Sequence, residues 1–158
     1  MKLLVISDSH GRTANFERIL KAEEPFDYLL HCGDLEGDEE VFRRLSCPIA
    51  MVAGNMDFFS ELQRELVLPV SGHRILLVHG HRERVSESLL TLACKAAAND
   101  CDIVCFGHTH VPVCTVEKGI TFLNPGSISK PRQEGHRPSY AVLELSEGKT
   151  AEASVHFL

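Results

Sequence analysis

Five short apolar runs in this 158-residue chain each stop abruptly on residues that can bind a metal ion. The first run leads into Asp8-Ser9-His10, the second into His31-Cys32-Gly33-Asp34 and the third into Gly54-Asn55-Met56-Asp57. The fourth leads into His79-Gly80-His81 and the fifth into Gly107-His108-Thr109-His110. These residues offer carboxylate oxygen, amide oxygen and imidazole nitrogen, with no thiolate. Such a set suits manganese, iron, zinc or nickel better than copper(I) or an iron–sulfur cluster. There are too many ligands for one tetrahedral ion. Two ions about 3.5–4 Å apart, sharing a carboxylate, would use them all, hold phosphoryl oxygens and activate a bridging water for in-line attack.

Each fragment alone says little. One Asp-x-His after a strand usually makes turn hydrogen bonds, and a lone His79 reads as a satisfied or solvated histidine. Five independent strand ends that all supply ligands are a different matter. The glycines beside them, Gly33, Gly54, Gly80 and Gly107, permit tight turns and close approach to an ion. Other polar residues stay outside the pattern. His73, His136 and His156 read as surface or structural, and Asp38, Glu39 and Glu40 as a solvated helix start. Arg12 and Arg132 are the cationic candidates for a substrate phosphate, though each also reads as an ordinary surface arginine.

The elements that must position these loops follow from the apolar periodicity. Leu3–Ile6, Tyr28–Leu30, Ile49–Ala53 and Ile103–Phe106 read as buried strands. Leu66–Val70 and Arg74–Val78 flank Ser71-Gly72 as a hairpin. Thr13–Glu24 has Phe16, Ile19 and Leu20 at helical spacing before Pro25. Glu39–Leu45 reads as a short helix, and Val85–Ala98 as a longer one with Leu89, Leu90 and Cys94 on one side. From Val111 to Phe157 strands are expected, broken at Gly119, Pro125-Gly126 and Glu147-Gly148. The 124–138 stretch is a long polar connection of the kind that is often functional. Alternating strands and helices point to an α/β domain, in which the carboxyl ends of parallel strands gather at one edge.

Length suits one domain spanning 1–158. The formal net charge of −6 does not suit a general nucleic-acid binder, yet a small phosphorylated substrate remains compatible because bound cations would reverse the local charge. Six cysteines without a C-x-x-C pair read as buried reduced thiols. No apolar run is long enough to span a bilayer, and the leading one ends too early for a signal peptide. Both facts fit a reducing cytoplasm.

The ordered motifs D-x-H, G-D, G-N-x-D, H-G-H, G-H-T-H and N-P-G-S run from Asp8 to Ser127. In that order the chain resembles the calcineurin-like metallophosphoesterase superfamily, and within it the small YfcE-type phosphodiesterases. The resemblance implies a four-layer α-β-β-α sandwich, with two mixed sheets face to face and helices outside. It implies that Asp8, His10 and His110 hold a first metal, that Asp34 bridges, and that Asn55, His79 and His108 complete a second. Asn124-Pro125-Gly126-Ser127 would buttress the loops. The expected cofactors are two divalent ions, manganese first, with zinc, nickel, iron or magnesium as alternatives, and the expected assembly is a homodimer or higher homo-oligomer.

One departure bears on mechanism. Many superfamily members carry histidine where this chain has Met56, and a thioether cannot donate a proton. Asp57 or His81 could serve as the general acid instead, or each could orient metal ligands. A non-catalytic scaffold is the competing function, because the retromer subunit of this fold is similar overall. Here every ligand position of the family pattern is filled, which favours a hydrolase. Metal-assisted amide hydrolysis uses similar ions, but the ordered motifs argue against it.

Overall fold

The computed structural model describes residues 1–158. Strand β1 (Lys2–Ile6) shows how the apolar runs act. Leu3 and Val5 enter one core while Leu4 and Ile6 enter another, and all four are fully buried. A strand covered on both faces is an uninterrupted apolar run rather than an alternating one.

One sheet contains β1 with β2 (Tyr28–His31), β3 (Ile49–Met51), β9 (Ser139–Glu144) and β10 (Glu152–Phe157), in the order β10-β9-β1-β2-β3. The other contains β4 (Glu65–Val70), β5 (His73–Val78), β6 (Ile103–Cys105), β7 (Val113–Glu117) and β8 (Ile120–Asn124), in the order β4-β5-β6-β8-β7. In the first sheet β1, β2 and β3 run parallel, β9 is antiparallel to β1 and β10 to β9; in the second β5, β6 and β8 run parallel and the edges β4 and β7 are antiparallel. Register places the site. Ile6, His31 and Met51 stand level across β1, β2 and β3, so the chain leaves all three strands at one edge. In the second sheet Leu77, Cys105 and Leu123 stand level in the same way.

The core between the sheets joins Leu3, Val5, Leu30 and Val52 to Ile75, Leu77, Ile103 and Leu123. Helices α1 (Ala14–Glu23) and α2 (Glu39–Phe42) cover the first sheet, burying Phe16, Ile19 and Phe42 against Leu4, Ile6 and Leu29. Helix α3 (Leu90–Ala98) covers the second through Leu92 and Ala96, packed on Leu76, Val104 and Phe122. Each large apolar side chain so buried contributes about 1.5–3 kcal/mol. The result is the four-layer sandwich. No helix is long and apolar enough to cross a membrane.

Several elements differ from expectation. The last helix begins at Leu90, not Val85; residues 81–87 are turns. Val85 is drawn out of helical register because it packs over Gly80 and joins the core beneath α3, and Arg84 is left-handed at φ 56°. The buried face of α3 is Leu92 and Ala96, whereas Leu90 and Cys94 point to solvent. The second helix closes at Phe42. Cys32, Cys101 and Cys105 are buried thiols, but Cys94 and Cys114 are exposed. Asp38 is not solvated: it is 7% exposed, with no hydrogen-bond partner on either carboxylate oxygen.

Candidate metal centre

Asp8, His10, Asp34 and His110 are all buried, and their ligand atoms lie within 4.8 Å of one another. They come from the ends of β1, β2 and β6, so two sheets are needed to assemble them. The turns that aim them are unusual. Asp8, His10, Asp34, His108 and His110 all have φ between 48° and 69°. Non-glycine residues visit this region at a cost of about 1–3 kcal/mol each, and such outliers cluster at functional sites. Two glycines make room. A Cβ on Gly54 would strike the Asp34 carboxylate, and one on Gly107 would strike the Ser7 hydroxyl beside Asp8.

The hydrogen bonds fix which atoms face inward. His10 Nδ1 is 2.8 Å from Glu36 Oε1, and His110 Nδ1 is 2.6 Å from the Lys130 carbonyl. Both acceptors demand N–H at Nδ1, which leaves the Nε2 lone pairs facing each other at 3.3 Å. His110 Nε2 also lies 3.1 Å from Asp8 Oδ1, and His10 Nε2 lies 3.8 Å from Asp34 Oδ2. Lone pairs and carboxylates converge here with no donor of their own. Only a cation or protons can satisfy such a cluster, so its chemistry fits a divalent metal.

A second set adjoins the first through Asp34. His79 Nε2 is 3.5 Å from Asp34 Oδ2 and 3.0 Å from Asn55 Oδ1. His108 Nδ1 is 2.9 Å from the same Asn55 oxygen. His79 donates its Nδ1 proton to the Cys32 carbonyl at 2.8 Å, which aims Nε2 at Asp34. His108 and His110 therefore face different groups, and the left-handed bend on either side of Thr109 separates them.

Electrostatics follow from this crowding. Burial opposes ionisation of Asp34, but the His79 hydrogen bond and charge, with the Met56 amide, hold its carboxyl down to about 2. Burial likewise opposes the charge on Asp8, yet His110 and His79 bring it below the usual range. Burial disfavours a charged His79, and Asp34 and Asp8 outweigh it and raise its pKa. Protons thus stand where a cation would. Burial and the neighbouring His79 lower both His81 and His108.

The remaining candidates separate by contact. Asp57 accepts three backbone N–H bonds, from Leu35 and Glu36 on Oδ1 and from Gly54 on Oδ2, at 2.7–2.8 Å. Asp57 thus clasps two candidate ligand loops, with both of its oxygens taken up by amide donors. His81 is different. Its ring lies 5.4 Å from that of His79 and 6.1 Å from that of His108, and its buried Nδ1 has no partner. Arg12 and Arg132 are exposed; the backbone N–H of Arg132 donates to the His110 carbonyl at 3.1 Å, and that of Arg12 to the Ser9 carbonyl at 2.9 Å. His73 pairs with Asp102 at 2.6 Å, and His156 stacks on Tyr140, both away from the centre.

The 124–130 segment supports the loops directly. Ser127 and Ser129 hydroxyls donate to the Asp8 carbonyl at 2.7 and 2.9 Å, and Asn124 Nδ2 donates to the Gly107 carbonyl at 2.9 Å. Sequence reasoning missed Glu36, which orients His10. His31, named among the strand-end residues that can bind a metal, is instead a fully buried ring whose Nδ1 accepts from the Gly33 amide and whose Nε2 faces Ser9 Oγ at 3.0 Å. Burial pushes His31 down to about 3, so it is a neutral strut. Its only signal was its place at the end of an apolar run.

Comparison with known proteins gives a consistent picture. A model of the calcineurin-like phosphoesterase superfamily domain matches residues 1–148. The probable metallophosphoesterase YsnB of Bacillus subtilis is 38% identical over 146 residues, which cover 92% of this chain and 85% of that protein. Phosphodiesterase YfcE of Escherichia coli K12 is 31% identical, covering 91% of this chain and 88% of that one. The crystal structure of a Vps29 single mutant from Entamoeba histolytica superposes with a TM-score of 0.82 at 25% identity, covering 100% of this chain and 99% of that one.

Proposed function

Because this chain belongs to the calcineurin-like phosphoesterase superfamily, we propose that it is a two-metal phosphodiesterase acting on a small phosphorylated substrate. The observation that carries this reading is the meeting of imidazole nitrogens and carboxylate and amide oxygens around Asp34, with one set on each side of it. Asp8, His10 and His110 would hold one ion, Asn55, His79 and His108 the other, and Asp34 both. Two such ions, manganese in this proposal, would supply charge to neutralise phosphoryl oxygens and would lower the pKa of bound water.

The protein's own groups do the rest. Glu36, Lys130 and Cys32 keep three imidazoles in the tautomer that presents a lone pair inward. The Asp57 clasp holds the Asp34 and Asn55 loops at a fixed separation. His81 is the remaining candidate proton donor, and its Nδ1 has no partner within the protein. Arg12 and Arg132, both exposed, would be the cations that meet phosphate oxygens. We further take the protein to be a cytoplasmic homodimer. Six free thiols support the compartment; light scattering that gives only monomer at micromolar concentration would remove the dimer.

The test is metal content together with hydrolysis of phosphomonoesters, diesters and nucleotides under each metal in turn. We expect two ions per chain and turnover of activated phosphodiesters. Uptake of metal without hydrolysis of any ester would leave the scaffold function in its place.

A further inference from the structure

Resting on the phosphoesterase reading, we propose that the cleft beside Asn55 is the subsite for a planar, uncharged ring carried on an ester oxygen of the substrate, with Phe58 and Phe59 as the residues that select it.

The cleft has a volume of about 430 Å3, and Glu36, Glu39, Met56, Phe58, Phe59 and Ser60 line it. That falls within the about 300–1,000 Å3 of small-molecule sites. Its walls are the two loops that build the metal centre. Glu36 grips His10 Nδ1 at 2.8 Å, and the Met56 amide donates to Asp34 Oδ1 at 2.8 Å. Asp57 locks the loops together through three amide bonds. A substituent on a phosphoryl group seated at Asp34 therefore has this cleft next to it.

The aromatic residues are not explained by folding. Phe58 is 75% exposed and Phe59 101% exposed, and neither belongs to any of the three cores. With Met56 at 40% exposed they make contiguous apolar surface at the mouth of a site. Such patches mark binding surfaces. Charge narrows the ligand. Glu36 and Glu39 lie on the lining, and no lysine or arginine does. A second phosphate or a carboxylate would be repelled there, while a neutral ring can stack on Phe. A second cleft, lined by His79 itself, lacks any apolar lining and carries Arg64, Arg82 and Lys95 with Glu65 and Glu83. The ring is thus directed to one side of the metal centre only.

The experiment compares phenylphosphonate with methylphosphonate by calorimetric titration of manganese-loaded protein, at a pH where both are dianions. The two ligands share a headgroup and differ only in the ring. Stacking on an aromatic side chain supports a preference for the phenyl compound of about tenfold. The doubly substituted Phe58→Ala, Phe59→Ala protein should bring the ratio below about twofold, and its fold should survive because both side chains are exposed. Val116→Ala, an exposed apolar side chain on β7, should keep the wild-type ratio. A ratio near one in wild type, or an unchanged ratio in the double variant, would overturn the subsite and leave the phosphoesterase reading intact as long as methylphosphonate binds. If the double variant changes only the oligomeric state, the patch is an interface between copies and the subsite is wrong. Failure of both phosphonates to bind metal-loaded protein would remove the underlying reading and the subsite with it.

Discussion

Asp8, His10 and His110 are gripped from behind by the protein, whereas Asn55 and His108 are gripped largely by each other. Behind the first group stand the Ser127 and Ser129 hydroxyls on the Asp8 carbonyl, Glu36 on His10 and the Lys130 carbonyl on His110. In the second group one Asn55 oxygen bridges His79 and His108, and only His79 has a fixed backbone partner. Exposure follows the same division. The first set is fully buried, while Asn55 and His108 are half-buried. One half is preorganised against desolvation and backbone strain; the other is partly open to solvent. Asp34 is the one carboxylate in reach of both sets, through His10 and His79.

That division orders the effects of substitution. Asp34→Asn should be the most severe, because it removes the charge that both halves share. We expect both ions to be lost and activity to fall more than about 100-fold, beyond the 10–100-fold typical of partners one layer out. Elemental analysis after desalting checks it, and two retained ions at near-normal rates would break the assignment. The next pair separates the halves. His110→Ala should empty the buried half alone, and His108→Ala the open half alone, each leaving one ion per chain. Titration of metal-free wild type should show the buried half filling first, since its ligands need no rearrangement. A metal-loaded structure with both imidazoles on one ion would refute the two-group division.

Much of this centre was legible in the sequence because strand ends and ligands coincide. Leu3–Ile6 stops at Asp8 within two residues, and Ile103–Cys105 stops before His108. Apolar runs buried on two faces leave no doubt about the strand, and level register converts five sequence positions into one place. What was not legible depends on three-dimensional neighbours. The left-handed turns at Asp8 and His10 look in sequence like any polar loop. Glu36 meets His10 across 26 residues, and no local pattern announces it. Val85–Leu89 has helical periodicity but is pulled over Gly80. Asp38 heads a charged triplet, and its burial beneath the loops reverses the reading that its neighbours Glu39 and Glu40 suggest.

The open half also lacks an assigned acid, with Met56 exposed where an imidazole stands in many relatives of the resemblance. Met56→His should speed esters of poor leaving groups by up to about 100-fold, the low end of a general acid's contribution, and should change good ones little. Substituted phenyl esters are the right series, because they vary leaving-group pKa while keeping constant the shape that Phe58 and Phe59 meet. A steep dependence in wild type, flattened in the variant, is the expected outcome. A shallow wild-type slope would mean that His81 already donates, and His81→Asn should then steepen it.

The smallest expected effect probes the cost carried behind the buried half. Asp38 faces Ser9, between Asp8 and His10, and burial pushes its carboxyl up to about 7, with the Ser9 hydroxyl opposing and the Glu39 and Asp57 charges adding to the rise. A pKa raised in the folded protein means that the fold binds the proton more tightly than the unfolded chain does. The stability that comes with that proton is fully present below the unfolded value near 4. It is lost progressively as pH rises through the folded value. Three pKa units correspond to about 4 kcal/mol, and partial relaxation and water entry reduce this to about 2 kcal/mol in our expectation. Asp38→Asn carries no charge at any pH. It should therefore match wild type at pH about 4 and exceed it by that margin above pH about 7. Urea unfolding of the chelated protein at both pH values measures this without interference from bound cations. A constant difference across the range would mean that Asp38 ionises freely in the folded state, and that the buried half is supported without an uncompensated carboxylate behind it.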